Sequence, residues 1–203
     1  MKKSATIDRI LTAAAQEICL KGIDGARIEA IAKEAGVTKQ LVYHYFKTKD
    51  QLYVAILESV AQGIRLLKDV EVYQELSPAD ALCKMADTII DGFARNPSYA
   101  VLTLDQALHD GEHISDSSDF IPTFKRFIRD VLTPVLKRGV GDGVFRPDLD
   151  PDLTFWLIFN LSASCFLNEK IMSEVSGTDF RSEEGIELWR RTSTQFILNA
   201  LRP

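Results

Sequence analysis

The sequence predicts an all-α protein of about nine helices. A small helical domain is expected over residues 1–50, followed by a larger one over residues 51–203. Apolar residues recur at spacings of three and four along most of the chain, as on one face of an α-helix, and the alternation typical of strands is scarce. Helix-starting residues stand where these patterns begin, as in Ser77-Pro78 and Asp150-Pro151.

The first four helices are the most clearly marked. Apolar residues from Ile7 to Ile18 share one face of the first helix, and Thr48 and Gln51 have the spacing of a capping box at the start of the fourth. We expect the fourth helix to run to about Val70. Further on, Pro134 predicts a kink in a helix over about 118–138. Three closely spaced glycines, at 139, 141 and 143, predict a flexible turn after that helix.

Composition places the chain among globular proteins with a sizeable core, since 46% of its 203 residues are hydrophobic. The most apolar stretch, 153–167, has 11 apolar residues in 15 and is shorter than the roughly 20 that a membrane span needs. No signal peptide is evident. Three well-separated cysteines suggest neither a disulfide framework nor a metal site. We therefore expect a cytoplasmic protein with reduced thiols, no metal and no membrane association.

Charge divides the chain unevenly. Residues 1–50 carry nine basic and six acidic side chains, whereas the remainder carries 15 basic and 23 acidic ones. A basic N-terminal part on an acidic body places any nucleic-acid contact in the first 50 residues.

Residues 28–46, IEAIAKEAGVTKQLVYHYF, predict a helix-turn-helix. Gly36 allows the left-handed backbone of the turn, and Val42 and Phe46 would pack the second helix onto the first. The rest of that helix is left for solvent or a partner. Its side chains suit a DNA groove, with donors for base edges and phosphates and an apolar contact for a thymine methyl; they are Thr38, Lys39, Gln40, Leu41, Tyr43, His44 and Tyr45.

Residues 7–57 resemble the DNA-binding domain of the TetR family. The resemblance is carried by Ala35-Gly36-Val37-Thr38, by Val42-Tyr43-His44-Tyr45-Phe46 and by Lys47-Thr48-Lys49. It implies a dimeric transcriptional regulator, usually a repressor, that lays two recognition helices in successive major grooves of a near-palindromic operator. Carried over by position, the DNA contacts would be Lys39, Gln40, Leu41, Tyr43, His44, Tyr45 and Lys49.

One position departs from the family pattern. Arg27 stands just before the second helix, where the family usually has Thr or Ser, so a normal cap and phosphate contact is missing. Arg27 either contacts phosphate through its long side chain or the helix start shifts.

The body is expected to bind a small-molecule effector and to dimerise. The helices over 151–168 and 182–201 would form half of an intersubunit four-helix bundle, as the family resemblance implies. Aromatic and amide side chains of the middle helices would line an effector pocket, since such pockets are mostly apolar with few polar anchors. The candidates are Phe93, Tyr99, Gln106, Phe124, Phe127, Trp156, Phe159 and Asn160. Asn160 and Gln106 attract attention because a buried amide needs a partner.

Two other classes of protein are less well supported. No phosphate-binding loop, nucleophile elbow or metal-ligand spacing points to an enzyme, and no cofactor is implied. A helical protein that binds only other proteins would use the Lys39–Tyr45 surface differently, and a salt-dependent shift of duplex DNA would separate it from a regulator. Effector, operator and regulated genes do not follow from the sequence.

Overall fold

The computed structural model describes residues 2–63, 70–109, 111–112 and 118–203. These residues form helices without a strand, which confirms the all-α prediction. The helices are α1 (Lys2–Gly25), α2 (Ile28–Glu34), α3 (Lys39–Tyr45), α4 (Lys49–Gly63), α5 (Val70–Glu75), α6 (Pro78–Arg95), α7 (Ser98–Leu108), α8 (Phe120–Phe127), the π-helical turn π1 (Ile128–Leu132), α9 (Thr133–Gly141), α10 (Pro151–Leu167), α11 (Glu169–Ser176) and α12 (Glu183–Leu201).

This is more than the nine helices predicted. The short helices α5 and α11 carry too few turns to give a periodic signal, and π1 divides what the sequence presents as one helix. The expected continuation of α4 to Val70 lies partly outside the described residues.

The chain forms two compact units. Unit 1 comprises Met1–Ala61 and Ser98–Phe120, and unit 2 comprises Gln62–Pro97 and Ile121–Pro203. A boundary after residue 50 stays a prediction. Among the described residues, no helix is both long and apolar enough to cross a membrane.

The core of unit 1 holds the helix-turn-helix together. Ile10, Ala14 and Ile18 of α1 are buried against Ile31 of α2 and Val42 of α3. Full burial of one such large aliphatic side chain stabilises the fold by about 1.5–3 kcal/mol. The orientation of α3 is therefore fixed from its inner side, and its outer side is left for another role.

Helix starts agree with the capping signals. The Gln51 N–H donates to Thr48 Oγ1 at 3.1 Å, and the Gln51 side chain accepts from the Lys47 N–H at 3.1 Å, so the capping box reaches back one residue further than usual. Asp150 accepts from the Leu153 N–H at 2.8 Å at the start of α10. Ser77 and Ser182 cap α6 and α12 in the same way.

The kink predicted at Pro134 takes the form of π1. Proline has no N–H, and its ring collides with the carbonyl four residues earlier, so a regular α-turn cannot form there. The Thr133 N–H instead donates to the Ile128 carbonyl, five residues back. This is the hydrogen bond of a π-helix, which widens the turn and makes room for the ring.

The predicted glycine turn is wrong for two of its three residues. Gly139 and Gly141 lie inside α9, and Gly143 alone of the three has a positive φ, of 69°. Gly139 is needed for close packing: a Cβ there would lie 2.0 Å from Cδ2 of Phe145. The Val144 and Phe145 N–H groups also donate to the Gly139 carbonyl, at 2.8 and 3.0 Å.

Gly139→Ala is expected to lower the free energy of unfolding by about 3 kcal/mol, because the buried Phe145 ring must move to admit a methyl group. Urea unfolding at fixed protein concentration measures this loss. Gly141→Ala is the matched control, since nothing lies within 4 Å of its Cβ position and alanine favours helix. Equal midpoints for the two variants would contradict the packing role.

Candidate nucleic-acid interface and ligand region

The turn between α2 and α3 is built on Gly36, which has φ 64°. The Val37 N–H donates to the Ala32 carbonyl at 2.9 Å, and the Gly36 N–H donates to the Lys33 carbonyl at 3.1 Å. This pair of hydrogen bonds is a Schellman motif, which ends a helix sharply and needs a left-handed residue. Thr38 then caps α3 by accepting from the Leu41 N–H at 3.2 Å.

The outer side of α3 presents most of the predicted DNA contacts. Four of the candidate side chains are exposed, namely Thr38, Lys39, Gln40 and His44, and Tyr43 is 39% exposed. Leu41 and Tyr45 are half-buried, and the Tyr45 ring packs against the unit 1 core. The two tyrosines therefore differ: Tyr43 is free to meet a partner, whereas Tyr45 offers only part of its surface.

A charged pair lies beside this surface. The Lys39 ammonium contacts the Glu29 carboxylate of α2 and lies 5.8 Å from the centre of the Tyr43 ring. The hydrogen bond between Lys39 and Glu29 raises the pKa of Lys39 and lowers the pKa of Glu29. Because both groups are exposed, the pair adds little stability, and Lys39 can exchange Glu29 for a phosphate or a base.

The other two candidate cations flank α2 and α4. Arg27 is exposed at the N-cap position of α2 and makes no side-chain capping hydrogen bond, as its identity predicts. Lys49 is half-buried, and its ammonium donates to the Asp24 carbonyl at 3.1 Å, near the C-terminus of α1. A cation in that position also interacts favourably with the helix dipole.

Sequence reasoning singled out Gln106 as an amide that needs a partner, but it did not predict the polar cluster that Gln106 forms in unit 1 with Tyr53, Asp105 and His109. The Tyr53 hydroxyl, fully buried, donates to the Asp105 carboxylate and accepts from Gln106 Nε2 at 2.9 Å. The pKa of Tyr53 is raised, chiefly because the hydroxyl is buried and secondly because it donates to Asp105. Asp105 is only 6% exposed. No pattern marks an aspartate as buried when it stands among mixed neighbours on a short helix.

His109 is predicted to make stability depend on pH. A hydrogen bond to the Asp105 carbonyl, at 2.8 Å from Nδ1, is the largest cause that raises its pKa above 6.5, with Asp105 and Asp24 adding attraction. Because the pKa of His109 is higher in the folded than in the unfolded protein, protonation of His109 contributes to the stability of the fold. This contribution is complete below pH 6.5 and is lost as the pH rises through the folded pKa.

The measurement is the urea midpoint from pH 5.5 to 8.5. We expect part of the fall in stability across this range to disappear in His109→Gln. His44→Gln, an exposed histidine on α3, is the matched control. If both variants keep the wild-type pH profile, His109 has no such role.

Five predicted pocket residues meet in unit 2, joined by Phe155 and Phe166; we call these seven residues the aromatic cluster. Phe124 is central, with ring centroids 5.7 Å from Phe155, 5.9 Å from Trp156 and 6.3 Å from Phe159. The cluster comprises Phe93, Phe124, Phe127, Phe155, Trp156, Phe159 and Phe166.

The remaining three candidates are placed elsewhere. Tyr99 and Gln106 belong to unit 1. The expectation that Asn160 is a buried amide is wrong: Asn160 is exposed, and its amide donates to the Trp156 carbonyl of the same helix at 2.8 Å. The prediction assumed that a nearly all-apolar helix is covered on every side, and Asn160 lies on a side that the described residues do not cover.

None of the described residues covers one side of α10. Leu153 and Leu157 are 65% and 71% exposed, and Trp156 is 44% exposed. On α12, Phe196 is 66% exposed. Large apolar groups exposed together mark an interaction surface.

The comparisons with known proteins agree with this arrangement. The sequence profile described as "Tetracyclin repressor-like, C-terminal domain" matches residues 78–197, and the one described as "Bacterial regulatory proteins, tetR family" matches residues 10–56. The chain is 25% identical to the HTH-type transcriptional repressor NicS of Pseudomonas putida, over 97% of this chain and 92% of NicS.

Two solved structures are also similar. SCO4942 of Streptomyces coelicolor has a TM-score of 0.71 and 26% identity, covering 98% of this chain and 99% of that one. The regulator FadR from Bacillus subtilis, in complex with stearoyl-CoA, has a TM-score of 0.69 and 18% identity, covering 96% and 98%.

The fold and the exposed α3 surface define a helix-turn-helix transcriptional regulator. Because the two profiles together span both parts of the chain, and the C-terminal one alone covers more than half of it, the chain belongs to the TetR family.

Proposed function

We propose that the protein is a homodimeric repressor that lays two copies of α3 in successive major grooves of a palindromic operator and leaves DNA when a small-molecule effector binds. The observation that carries the DNA-binding part is the outer side of α3. It shows Lys39, Gln40 and Tyr43 to solvent, while the Gly36 turn and the buried Val42 fix its orientation.

Each candidate side chain suits one kind of contact. Lys39 and Gln40 donate to base edges, and Leu41 meets a thymine methyl. Tyr43, His44 and Tyr45 donate to phosphates. Thr38, Arg27 and Lys49 add phosphate contacts at the margins of the surface, the last by releasing the Asp24 carbonyl.

The dimer is proposed to form through α10 and α12. The exposed leucines of α10 and Phe196 of α12 would be covered by the same residues of a second copy, since an isologous interface uses one surface twice. Pairing two helices from each subunit gives a four-helix bundle.

The effector is proposed to bind at the aromatic cluster. FadR from Bacillus subtilis, similar in fold, is solved in complex with stearoyl-CoA, which supports the binding of a small molecule by a protein of this fold. Release from DNA is a population shift, so the effector must bind the DNA-free arrangement more tightly than the DNA-bound one. Titration of the protein–operator complex with candidate metabolites tests this part separately.

The DNA-binding part is tested by selecting duplexes from random-sequence DNA with the purified protein. We expect enrichment of a palindrome whose affinity falls steeply with salt, because each phosphate neutralised releases counterions. Failure to enrich any sequence would contradict the proposal. A flat salt dependence would favour a protein partner for α3.

A further inference from the structure

Ser162 lies on the face of α10 that carries the aromatic cluster. Phe155, Phe159, Ser162 and Phe166 follow at spacings of four, three and four, so all four side chains share one side of the helix. The Phe93 ring of α6 lies 6.0 Å from Phe159 and 5.8 Å from Phe166, on either side of Ser162 in the sequence. Ser162 is 0% exposed.

The Ser162 hydroxyl has no hydrogen-bond partner among the described residues. Several other hydroxyls in unit 2 donate to a carbonyl of their own helix, as Thr88 does to Lys84 at 2.7 Å and Thr192 to Leu188 at 2.8 Å. Thr194 Oγ1 is the other buried hydroxyl without a partner among the described residues of unit 2, but it lies on α12 and outside the aromatic cluster. The Ser162 carbonyl is used, since it accepts from Trp189 Nε1 at 3.1 Å. A buried hydroxyl without a partner destabilises the protein that contains it, so Ser162 lowers stability where alanine would not.

The surroundings limit what could satisfy this hydroxyl. The aromatic cluster contains no ionisable side chain, and the buried residues of α6 are apolar or glycine. The nearby α6 carboxylates Asp87 and Asp91 are already paired with Arg190, at 3.0 and 2.7 Å. A charged ligand group would find no opposite charge there and would lose its hydration.

We propose that Ser162 Oγ is the hydrogen-bond donor for the effector, and that the effector is a neutral, largely apolar ring compound with a carbonyl oxygen. This rests on the proposed effector role of the aromatic cluster. A ligand carbonyl can accept a hydrogen bond from the Ser162 hydroxyl. Its second lone pair can stay unused at a lower cost than a buried ligand N–H or O–H that has no acceptor. Aromatic side chains of the cluster hold the ring system by stacking and edge contacts.

The test uses two probes that differ in one group, 2-propionylnaphthalene and 2-propylnaphthalene, with the full-length protein in equilibrium dialysis. Both probes are expected to bind the wild type. In Ser162→Ala, the affinity for the ketone relative to the hydrocarbon should fall about 5- to 20-fold, as for loss of one hydrogen bond. Ser193→Ala is the matched control, because Ser193 is also buried but donates to the Arg190 carbonyl at 3.3 Å.

Thermal unfolding without ligand is a second measurement, in which Ser162→Ala is expected to show no loss although its ketone affinity falls. Ser162→Ala should be at least as stable as the wild type, whereas Ser193→Ala should be less stable. A structural role for Ser162 would instead lower its stability on substitution.

Three results would overturn the inference: no binding of either probe, an unchanged preference for the ketone in Ser162→Ala, or a loss of stability in that variant. Affinity of the same ligand-free preparations for the selected duplex is measured in parallel. If one of these results is obtained and DNA affinity is retained, only the inference about Ser162 has failed. If DNA affinity is also absent, the result counts against the proposed function.

Discussion

Replacing both Lys39 and Tyr43 by alanine is expected to lower affinity for the selected duplex by at least about 100-fold. Each substitution would occur twice in the proposed dimer, so four of the proposed contacts would be lost, and a single base or phosphate contact is worth about 1 kcal/mol or more. Loss of Lys39 also leaves the exposed Glu29 carboxylate unpaired beside the phosphates, which adds repulsion.

The affinity is measured by fluorescence anisotropy at one fixed salt concentration, with circular dichroism to verify that the fold is intact. Lys137→Ala is the matched control because Lys137 is an exposed lysine of α9 and its loss changes the net charge equally. Similar losses in the two variants would mean that net charge, and not the α3 surface, governs DNA binding.

Tyr53→Phe is expected to lower the free energy of unfolding by about 2–3 kcal/mol. The substitution keeps the shape of the ring but removes the hydroxyl that donates to the buried Asp105 carboxylate. The carboxylate then keeps His109, at 3.7 Å, but loses its hydrogen bond from the hydroxyl, and a buried charge that loses a hydrogen bond is strongly destabilised. Gln106 Nε2 also loses the acceptor that it has at 2.9 Å.

A double-mutant cycle separates this interaction from simple loss of packing. We expect Tyr53→Phe combined with Asp105→Leu to be less destabilised than the sum of the two single variants by about 1.5 kcal/mol or more, since the combination leaves neither group unsatisfied. Urea unfolding at one protein concentration gives all four values. Additive losses would mean that the two side chains do not stabilise each other.

The helix-turn-helix was predictable because several independent signals coincide in a few residues. Gly36 marks the turn, Thr38 the cap, and Val42 and Phe46 the inner face, and each is confirmed by the structure. Such local signals depend on backbone geometry and helical periodicity, which the sequence expresses directly.

The surroundings of the candidate pocket residues and of the three glycines were harder to predict because they depend on contacts between distant residues. In the sequence Gly139 resembles a turn residue, but a glycine is needed there because the Phe145 ring packs against it. Asn160 looks buried because α10 is apolar almost throughout, yet one side of the helix is exposed. Tyr53 and Asp105, 52 residues apart, carry no signal that they form a pair.

Guanine N7 methylation protection on the selected duplex tests the central claim most directly, because N7 lies in the major groove. With two α3 helices in successive major grooves, two protected regions should appear with centres roughly 10–10.5 base pairs apart, and both should disappear with the Lys39 and Tyr43 double variant. A single protected region, or full reactivity of N7 in a stable complex, would contradict the account.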